Sequence, residues 1–314
     1  MLRNLGRLKI IITGGDGFIG SYIVEKLVDL GSKVYCIVEP KSDLWRLEDV
    51  KDKIQILRYD ICDPRLKKEI KKIRPRKAFH LASLVNPERD VGIVEDMFRI
   101  NVNGTINFMS AFIDSDCDAI INTGTCEEYG DNKAPFREVD LPRPVSPYSA
   151  SKVAATFYCQ MLYHSFNVPI VNLRPFLTYG PKQTGDLFIP SLIRHILEGR
   201  DFEMTGGQQT REFNYVTDIA DGFIKASVTQ AAIGRVINIG CGKDYKIIDV
   251  ASKIIELSGS YVKLKIGKLP YRKGEVDRFY CDNSLAIKIL NWRPKVSLDE
   301  GLRRTIEWYK RKMY

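Results

Sequence analysis

Tyr148 and Lys152 stand four residues apart in SPYSASK (146–152), behind a Ser-Pro pair that suits a helix start. Positions i and i+4 share one face of a helix, so the spacing sets an ammonium beside a phenol. Such a neighbour stabilises a phenolate and draws a tyrosine pKa of about 10 down toward the working pH. Tyr148 is therefore a candidate general base and Lys152 its tuner, free also to hold a ribose hydroxyl. The pair alone is weak, because this spacing arises by chance in many chains. Support lies upstream, where an apolar run at 118–121 is followed by Thr123, Thr125, Cys126, Glu127, Glu128 and Tyr129 in INTGTCEEYG (121–130). A hydroxyl, a thiol and carboxylates at the end of a core strand are the materials of acid–base chemistry. Glu128 is read differently from its neighbours, as a solvated loop carboxylate.

A second constellation opens the chain. In IIITGGDGFIGSYIVEKLVDLG an apolar run leads into Gly14-x-x-Gly17-x-x-Gly20, then into a helix with Ile19, Ile23, Val24, Leu27 and Leu30 on its apolar face. Gly14 permits the tight turn, Gly17 lets backbone approach a pyrophosphate, and Gly20 lets the helix pack close to the sheet. The phosphates then meet the positive end of the helix, whose first residues are Phe18 and Ile19. Strand before, helix after and an acid beyond make this a dinucleotide site. The acid is Glu39, nineteen positions after Gly20. A carboxylate there accepts the ribose hydroxyls and repels a 2′-phosphate, favouring NAD over NADP, with Lys41 and Arg46 as nearby cations that work against it. Asp60 and Ile61, ending a third apolar run, are placed beside the adenine, although Asp60 serves equally well as a strand-end turn residue.

These residues need a frame. Apolar, β-branched runs recur at 8–15, 33–39, 54–60, 77–83, 119–125, 169–175 and 236–240, separated by helix-period segments. Apolar residues on both faces, alternating with helices, predict an α/β fold: a doubly wound parallel sheet of the Rossmann kind. Ligands lie beyond the carboxyl ends of such strands, where residues 123–130 fall. From 176 onward the pattern loosens, as in MTGGQQTREF (204–213), which predicts a smaller C-terminal substrate-binding lobe. The expected division is a dinucleotide-binding domain at 1–176 with a return segment near 212–242, and a lobe at 177–211 and 243–314.

The bulk properties set limits. The 314 residues carry 48 basic and 39 acidic side chains, a net charge of +9. Much of the excess sits in LKKEIKKIRPRK (66–77) and RRTIEWYKRK (303–312), read as helices with solvated faces; no nucleic-acid motif accompanies either. The excess also suits a doubly negative small substrate. Seven scattered cysteines, never spaced CxxC, and three histidines, His80, His164 and His195, argue against a zinc site and for a reduced cytoplasm. The N-terminus runs into a strand with no signal-peptide core, and no apolar run reaches the roughly 18 residues a membrane helix needs.

Taken together, the motifs resemble the extended short-chain dehydrogenase/reductases of the nucleotide-sugar epimerase/dehydratase type, over nearly the whole chain. TGGDGFIG is similar to that family's TGxxGxxG and YSASK to its YxxxK. HLAS, with Leu81 and Ala82, matches its fourth-strand cofactor signature, and NVNGT (101–105) its Asn-containing helix. LRPFLTYGP, TREFNYVTDIADG and RKGEVDRFYCD match its substrate-lobe signatures. The resemblance implies hydride removal from a sugar C4, with Tyr148 as base at the C4 hydroxyl, Thr125 as hydroxyl partner and Asn101 as support. It implies a homodimer built through the helices that follow the fourth and fifth strands.

The same resemblance bears on TCEEYG. Simple 4-epimerases of the family generally lack an acid two places after the Ser/Thr, whereas 4,6-dehydratases use a glutamate there to remove the C5 proton; Glu127 holds that place. Cys126 stands where glucose-type dehydratases have an aspartic acid and mannose-type ones a serine. A thiol is a weaker donor than a carboxylic acid but is protonated at pH 7. Ketosugar 4-reductases and nucleotide-sugar decarboxylases share parts of the segment, so Glu127 narrows the field without closing it. A lapsed enzyme that only senses a dinucleotide is the reading from another class. In the lobe, Arg211, Arg272 and Arg278 have the planar fork that suits a diphosphate, and Arg211 and Arg278 fall on the family's diphosphate positions. Leu177 departs from the family, which usually carries an asparagine there.

Overall fold

A computed structural model describes residues 5–313, apart from 87 and 272–273. Each of the seven apolar runs is a strand: β1 (Lys9–Thr13), β2 (Lys33–Val38), β3 (Gln55–Arg58), β4 (Lys77–His80), β5 (Ala119–Thr123), β6 (Ile170–Pro175) and β7 (Val236–Ile239). They form one sheet in the order β7-β6-β5-β4-β1-β2-β3, and every neighbouring pair is parallel. Side chains alternate across a strand, and β1 shows the consequence. Ile10 and Ile12 join a core containing Ile23, Val24 and Leu27 of helix α1 (Phe18–Asp29), together with Ile219 and Phe223. Ile11 joins an opposite core with Leu66, Phe108, Phe112, Cys159 and Leu162. All three isoleucines are fully buried, and burial of each contributes about 1.5–3 kcal/mol.

The second core is covered by three helices. Helix α2 (Arg65–Ile73) turns Leu66, Ile70 and Ile73 inward and leaves its lysines outside, as its charge pattern predicts. Helix α3 begins at Val94–Met97, passes through a π-helical segment at Phe98–Asn103 and ends at Gly104–Met109. Helix α4 (Pro147–Phe166) begins where Ser-Pro predicts: the Ser146 hydroxyl accepts the Ser149 N–H at 3.1 Å, the Ser149 hydroxyl caps in return, and Pro147 fills the first turn. On the other face lies α6 (Val216–Ser227), which follows α5 (Phe188–Leu197) in the chain.

Beyond β6 the irregular pattern resolves into short pairings: Thr178–Tyr179 with Asn214–Tyr215, Phe202–Met204 with Leu264–Ile266, and Thr210–Glu212 flanked by Asp244–Lys246 and Arg278–Phe279. A third core gathers Leu192 and Ile193 of α5, Val250 and Ile254 of α7 (Ile247–Ser258), and Ile306 and Tyr309 of the C-terminal helix Leu298–Met313. Tyr215 belongs to it. No helix among the described residues is long and apolar enough to cross a membrane.

The strand order places the site. The chain builds outward from β1 to β3, then returns to lay β4 against the other side of β1. The carboxyl ends of β1 and β4 therefore lie side by side at the point where the order reverses, and a crevice opens there.

Candidate functional site

The glycine turn occupies that crevice. Gly14 has φ +66°, and a Cβ on it would lie 2.7 Å from the Ala82 nitrogen. The segment after β4 passes directly over it: Leu81 N–H donates to the Thr13 carbonyl at 3.0 Å and Ala82 N–H to the Thr13 hydroxyl at 3.2 Å. Gly17 caps α1 without a side-chain bond, and no acidic residue sits in the first turn. The first N–H groups of α1, at Phe18 and Ile19, thus stay available to an anion. These residues fit a dinucleotide pyrophosphate.

Glu39 is exposed just beyond β2. Its carbonyl, with those of Pro40 and Ser42, accepts from Arg58 Nη1 at 3.4, 2.9 and 3.2 Å, while the Ser42 hydroxyl donates to Asp16. Arg46, the cation that competes with Glu39 in the sequence, has its fork engaged elsewhere. It donates to the Lys182 carbonyl at 2.9 Å, the Thr184 hydroxyl at 2.7 Å and the Asp16 carbonyl at 3.4 Å. Asp60 has the geometry of a turn residue, accepting Cys62 N–H at 2.8 Å and pairing with Arg99 at 3.1 Å. The Cys62 bond, with help from Arg99, holds its carboxyl below the usual range. Ile61 is buried in the core against Gly104.

The chemistry-bearing residues meet at the carboxyl end of β5. Tyr148 is 8% exposed and Lys152 2%, both on the first turns of α4. Burial pushes the Tyr148 phenol up, and the Thr125 hydroxyl, within hydrogen-bonding reach, opposes the rise; Cys126, Glu127 and Glu128 reinforce it. The spacing assigns a lowering of that phenol to Lys152, one helical turn away; the Thr125 hydroxyl lowers it as well. Burial lowers Lys152 itself, and the Glu128 charge favours its ammonium form. Cys126 is buried, and desolvation, with Glu127 next, keeps its thiol protonated well above the ordinary range. Glu127 is half-buried, with its N–H donating to the Thr125 hydroxyl oxygen at 3.2 Å.

Asn101 ties this corner to β4. Its Nδ2 donates to Ser151 Oγ at 2.9 Å and to the Leu84 carbonyl at 3.0 Å, while its Oδ1 accepts Ser83 Oγ at 2.9 Å and Leu84 N–H at 2.8 Å. The Ser151 hydroxyl donates to the Tyr148 carbonyl at 2.7 Å. Below it runs a second string. His80 bridges the Thr13 hydroxyl at 2.8 Å and the Thr105 hydroxyl at 2.9 Å, and Thr105 donates to the Asn101 carbonyl at 2.6 Å. Burial pushes His80 down to about 3, so its ring is neutral and serves as a bridge. Ser83, Thr105, Ser151 and this role of His80 escape the sequence reading. A histidine inside the buried run KAFHLAS is the signal that could have found the string.

Glu128 also differs from its expectation. It is fully buried rather than solvated, because Arg174 on β6 meets it: Nε and Nη2 donate to its Oε2 at 3.0 and 2.7 Å. In the outer part, Arg211 pairs with Glu275 and donates to the Val276 carbonyl at 2.8 Å. Arg278, on the neighbouring strand, pairs with Asp244 at 3.0 Å and is exposed. Arg272 lies outside the described residues. Leu177 offers backbone rather than an amide side chain, its carbonyl accepting Asn214 N–H at 2.9 Å.

Known proteins are similar to this chain along nearly its whole length. A family profile described as GDP-mannose 4,6 dehydratase matches residues 11–305. A UDP-glucuronate 4-epimerase of Thermodesulfobacterium geofontis is 30% identical over 96% of this chain and 95% of its own. A dTDP-D-glucose 4,6-dehydratase of Homo sapiens is 30% identical over 96% of this chain and 90% of its own. The structure of a UDP-glucuronic acid 4-epimerase from Bacillus cereus, in complex with UDP-glucuronic acid and NAD, superposes with a TM-score of 0.89 at 29% identity, covering 98% of this chain and all of that one (100%). With a glycine turn at the switch point, a Tyr–Lys helix beside it and this match along nearly its whole length, the chain belongs to the nucleotide-sugar epimerase/dehydratase family of extended short-chain dehydrogenase/reductases.

Proposed function

We propose that the protein modifies a nucleotide-diphosphate sugar through a 4-keto intermediate, using NAD recycled in place, as a sugar-nucleotide 4,6-dehydratase or 4-epimerase. The observation that carries this reading is the meeting of Thr125, Tyr148 and Lys152 beside the glycine turn. NAD, which the Gly14–Gly20 turn and Glu39 would hold, would supply a reversible hydride acceptor for the sugar C4. Tyr148, as the phenolate to which Thr125 donates, takes the proton of the C4 hydroxyl and becomes the phenol. Lys152 holds the nicotinamide ribose, and Asn101 braces the helix turn that carries Tyr148. Glu39 receives the adenosine ribose, which favours NAD; the engagement of Arg46 with backbone carbonyls supports that preference.

Glu127 and Cys126 add what an elimination needs. Glu127 would take the C5 proton acidified by the C4 carbonyl, and the Cys126 thiol would give the proton with which the C6 hydroxyl leaves as water. A bare 4-epimerase needs neither, so elimination is the reading this turn favours. Residues 1–176 with the return segment near 212–242 would hold the cofactor, and 177–211 with 243–314 the sugar nucleotide. Arg211 and Arg278 would exchange their carboxylate partners for the diphosphate. A cytoplasmic setting fits the seven unpaired cysteines.

Denaturing the fresh protein and identifying the released nucleotide tests the cofactor. Stoichiometric NAD+ is expected, and a site that fills only with NADPH would move a ketosugar reductase to first place. Nucleotide sugars are then screened in deuterated water. Deuterium at C5 in a 4-keto-6-deoxy product assigns elimination, and an epimer without C5 exchange assigns 4-epimerisation. The homodimer rests on α3 and α4, which expose Val94, Phe98, Phe157, Tyr158 and Met161, with Phe98 at 50% and Phe157 at 53%. Sedimentation should give twice the chain mass, reduced to one chain in a Phe98→Glu, Phe157→Glu variant. A monomeric wild type would overturn it.

A further inference from the structure

Three donors around Glu128 define an arrangement that the reaction scheme above leaves unused. Its Oε1 accepts the Thr125 N–H at 2.9 Å, and its Oε2 takes both donors of Arg174. The two oxygens are thus divided between the backbone of Thr125 and the guanidinium. Arg174 is itself fixed, with its Cζ 4.6 Å from the centre of the Tyr129 ring, whose hydroxyl donates to Asn238 Oδ1 at 2.7 Å. Space for the carboxylate comes from Gly124: a Cβ there would lie 2.5 Å from Glu128 Oε1. The pair is buried on both sides, with 4% exposure for the arginine side chain and none for the glutamate.

The consequence reaches the Thr125 hydroxyl. Thr125 is extended, at φ −156° and ψ 150°, and caps the short helical turn Cys126–Tyr129. Its Oγ accepts Glu127 N–H, which leaves the hydroxyl proton to point elsewhere, and the Tyr148 oxygen is within its reach. A threonine at the end of a strand would otherwise be free to change its φ, ψ and χ1 angles. With its N–H bound on one side and its Oγ on the other, only one orientation survives. We propose that the Glu128–Arg174 pair is a positioning latch that holds the Thr125 peptide so that its hydroxyl is presented to Tyr148. This rests on the reading of Thr125 as the hydroxyl partner of Tyr148. Glu128 touches no reacting atom in this scheme and acts through Thr125.

Removing Glu128 alone strands a buried arginine charge, so the informative variant replaces both partners with apolar residues: Glu128→Val with Arg174→Met. Amide hydrogen exchange in NAD-loaded protein, read on fragments spanning 119–129, tests the latch without any sugar. Exchange at Thr125 should quicken in the double variant and stay slow in Glu128→Gln with Arg174→Met, which keeps an acceptor for the Thr125 N–H and strands no charge. Unchanged exchange in the double variant overturns the proposal whatever the substrate is. Turnover tests the consequence. The double variant should lose about tenfold in kcat with little change in KM, the loss of one charge-assisted hydrogen bond in the transition state. Glu128→Gln with Arg174→Met should restore kcat to within about threefold of wild type. In a Thr125→Val background, where no hydroxyl remains to be aimed, the double replacement should cost nothing further. Additive losses would show that the pair does not act through Thr125. If wild-type protein converts no nucleotide sugar, the proposed function falls, while the exchange measurement still decides the latch.

Discussion

Tyr148→Phe should lower kcat by about 10²–10⁴-fold, the range for removing a general acid–base group, while the protein still purifies with its nucleotide. The change deletes one oxygen from a ring that is already buried, so it creates no cavity and no clash. What it removes is the atom that Thr125 approaches and that the C4 hydroxyl must reach. Because the ring remains and Lys152 is untouched, the proposed pyrophosphate cradle and ribose contact should stay intact. The measurement is paired: turnover on the best nucleotide sugar, and nucleotide released on denaturation. Unchanged turnover would refute the role of Tyr148. Lost turnover with retained nucleotide separates an enzyme from a protein that only senses a dinucleotide.

Gly20→Ala should yield protein without bound nucleotide. The new Cβ would fall inside van der Waals contact of the Gly14 carbonyl oxygen and 2.9 Å from Gly15 Cα. Both obstacles are backbone, so no flexible side chain can give way. Helix α1 must lift from the turn, and its first N–H groups leave the place where the phosphates sit. The apolar face of α1 is packed against β1, so the shift also costs stability, about 1–3 kcal/mol for an overpacked contact. Nucleotide content measured on denaturation, with a thermal melt of the same preparation, checks both parts. A variant that retains stoichiometric nucleotide would sink the assignment of this turn as the cradle.

What could be read from the chain follows the range of the interactions. All seven strands were legible because apolar residues on both faces are a local pattern, and the start of α4 because Ser146 caps within three residues. The glycine turn was legible for the same reason. Lost to the sequence were the pairings between distant positions. Glu128 looks like a loop carboxylate until Arg174, 46 residues later, arrives on β6 beside it. Arg46 looks like a rival to Glu39 until its guanidinium meets the Lys182 carbonyl, 136 residues away. Thr13 and His80 are 67 apart and come together only because β1 and β4 are neighbours. The raised phenol of Tyr148 was hidden for another reason. Helical spacing states which residues share a face, but not how far burial moves a phenol.

Successive residues of β1 serve two separate cores, so the two faces of the sheet can take up changes in side-chain volume separately. A change in volume among Ile10, Ile12 and the α1 side chains is absorbed on one side of the sheet, while Phe108, Cys159 and the helices that carry Tyr148 and Asn101 lie on the other. The sheet works as a partition. A lineage can therefore remodel the packing behind the nucleotide while keeping its reaction, or rebuild the opposite layer while keeping its nucleotide. Thr13, His80 and Thr105 mark where that freedom ends, since one hydrogen-bonded string there spans the carboxyl end of β1, the end of β4 and α3.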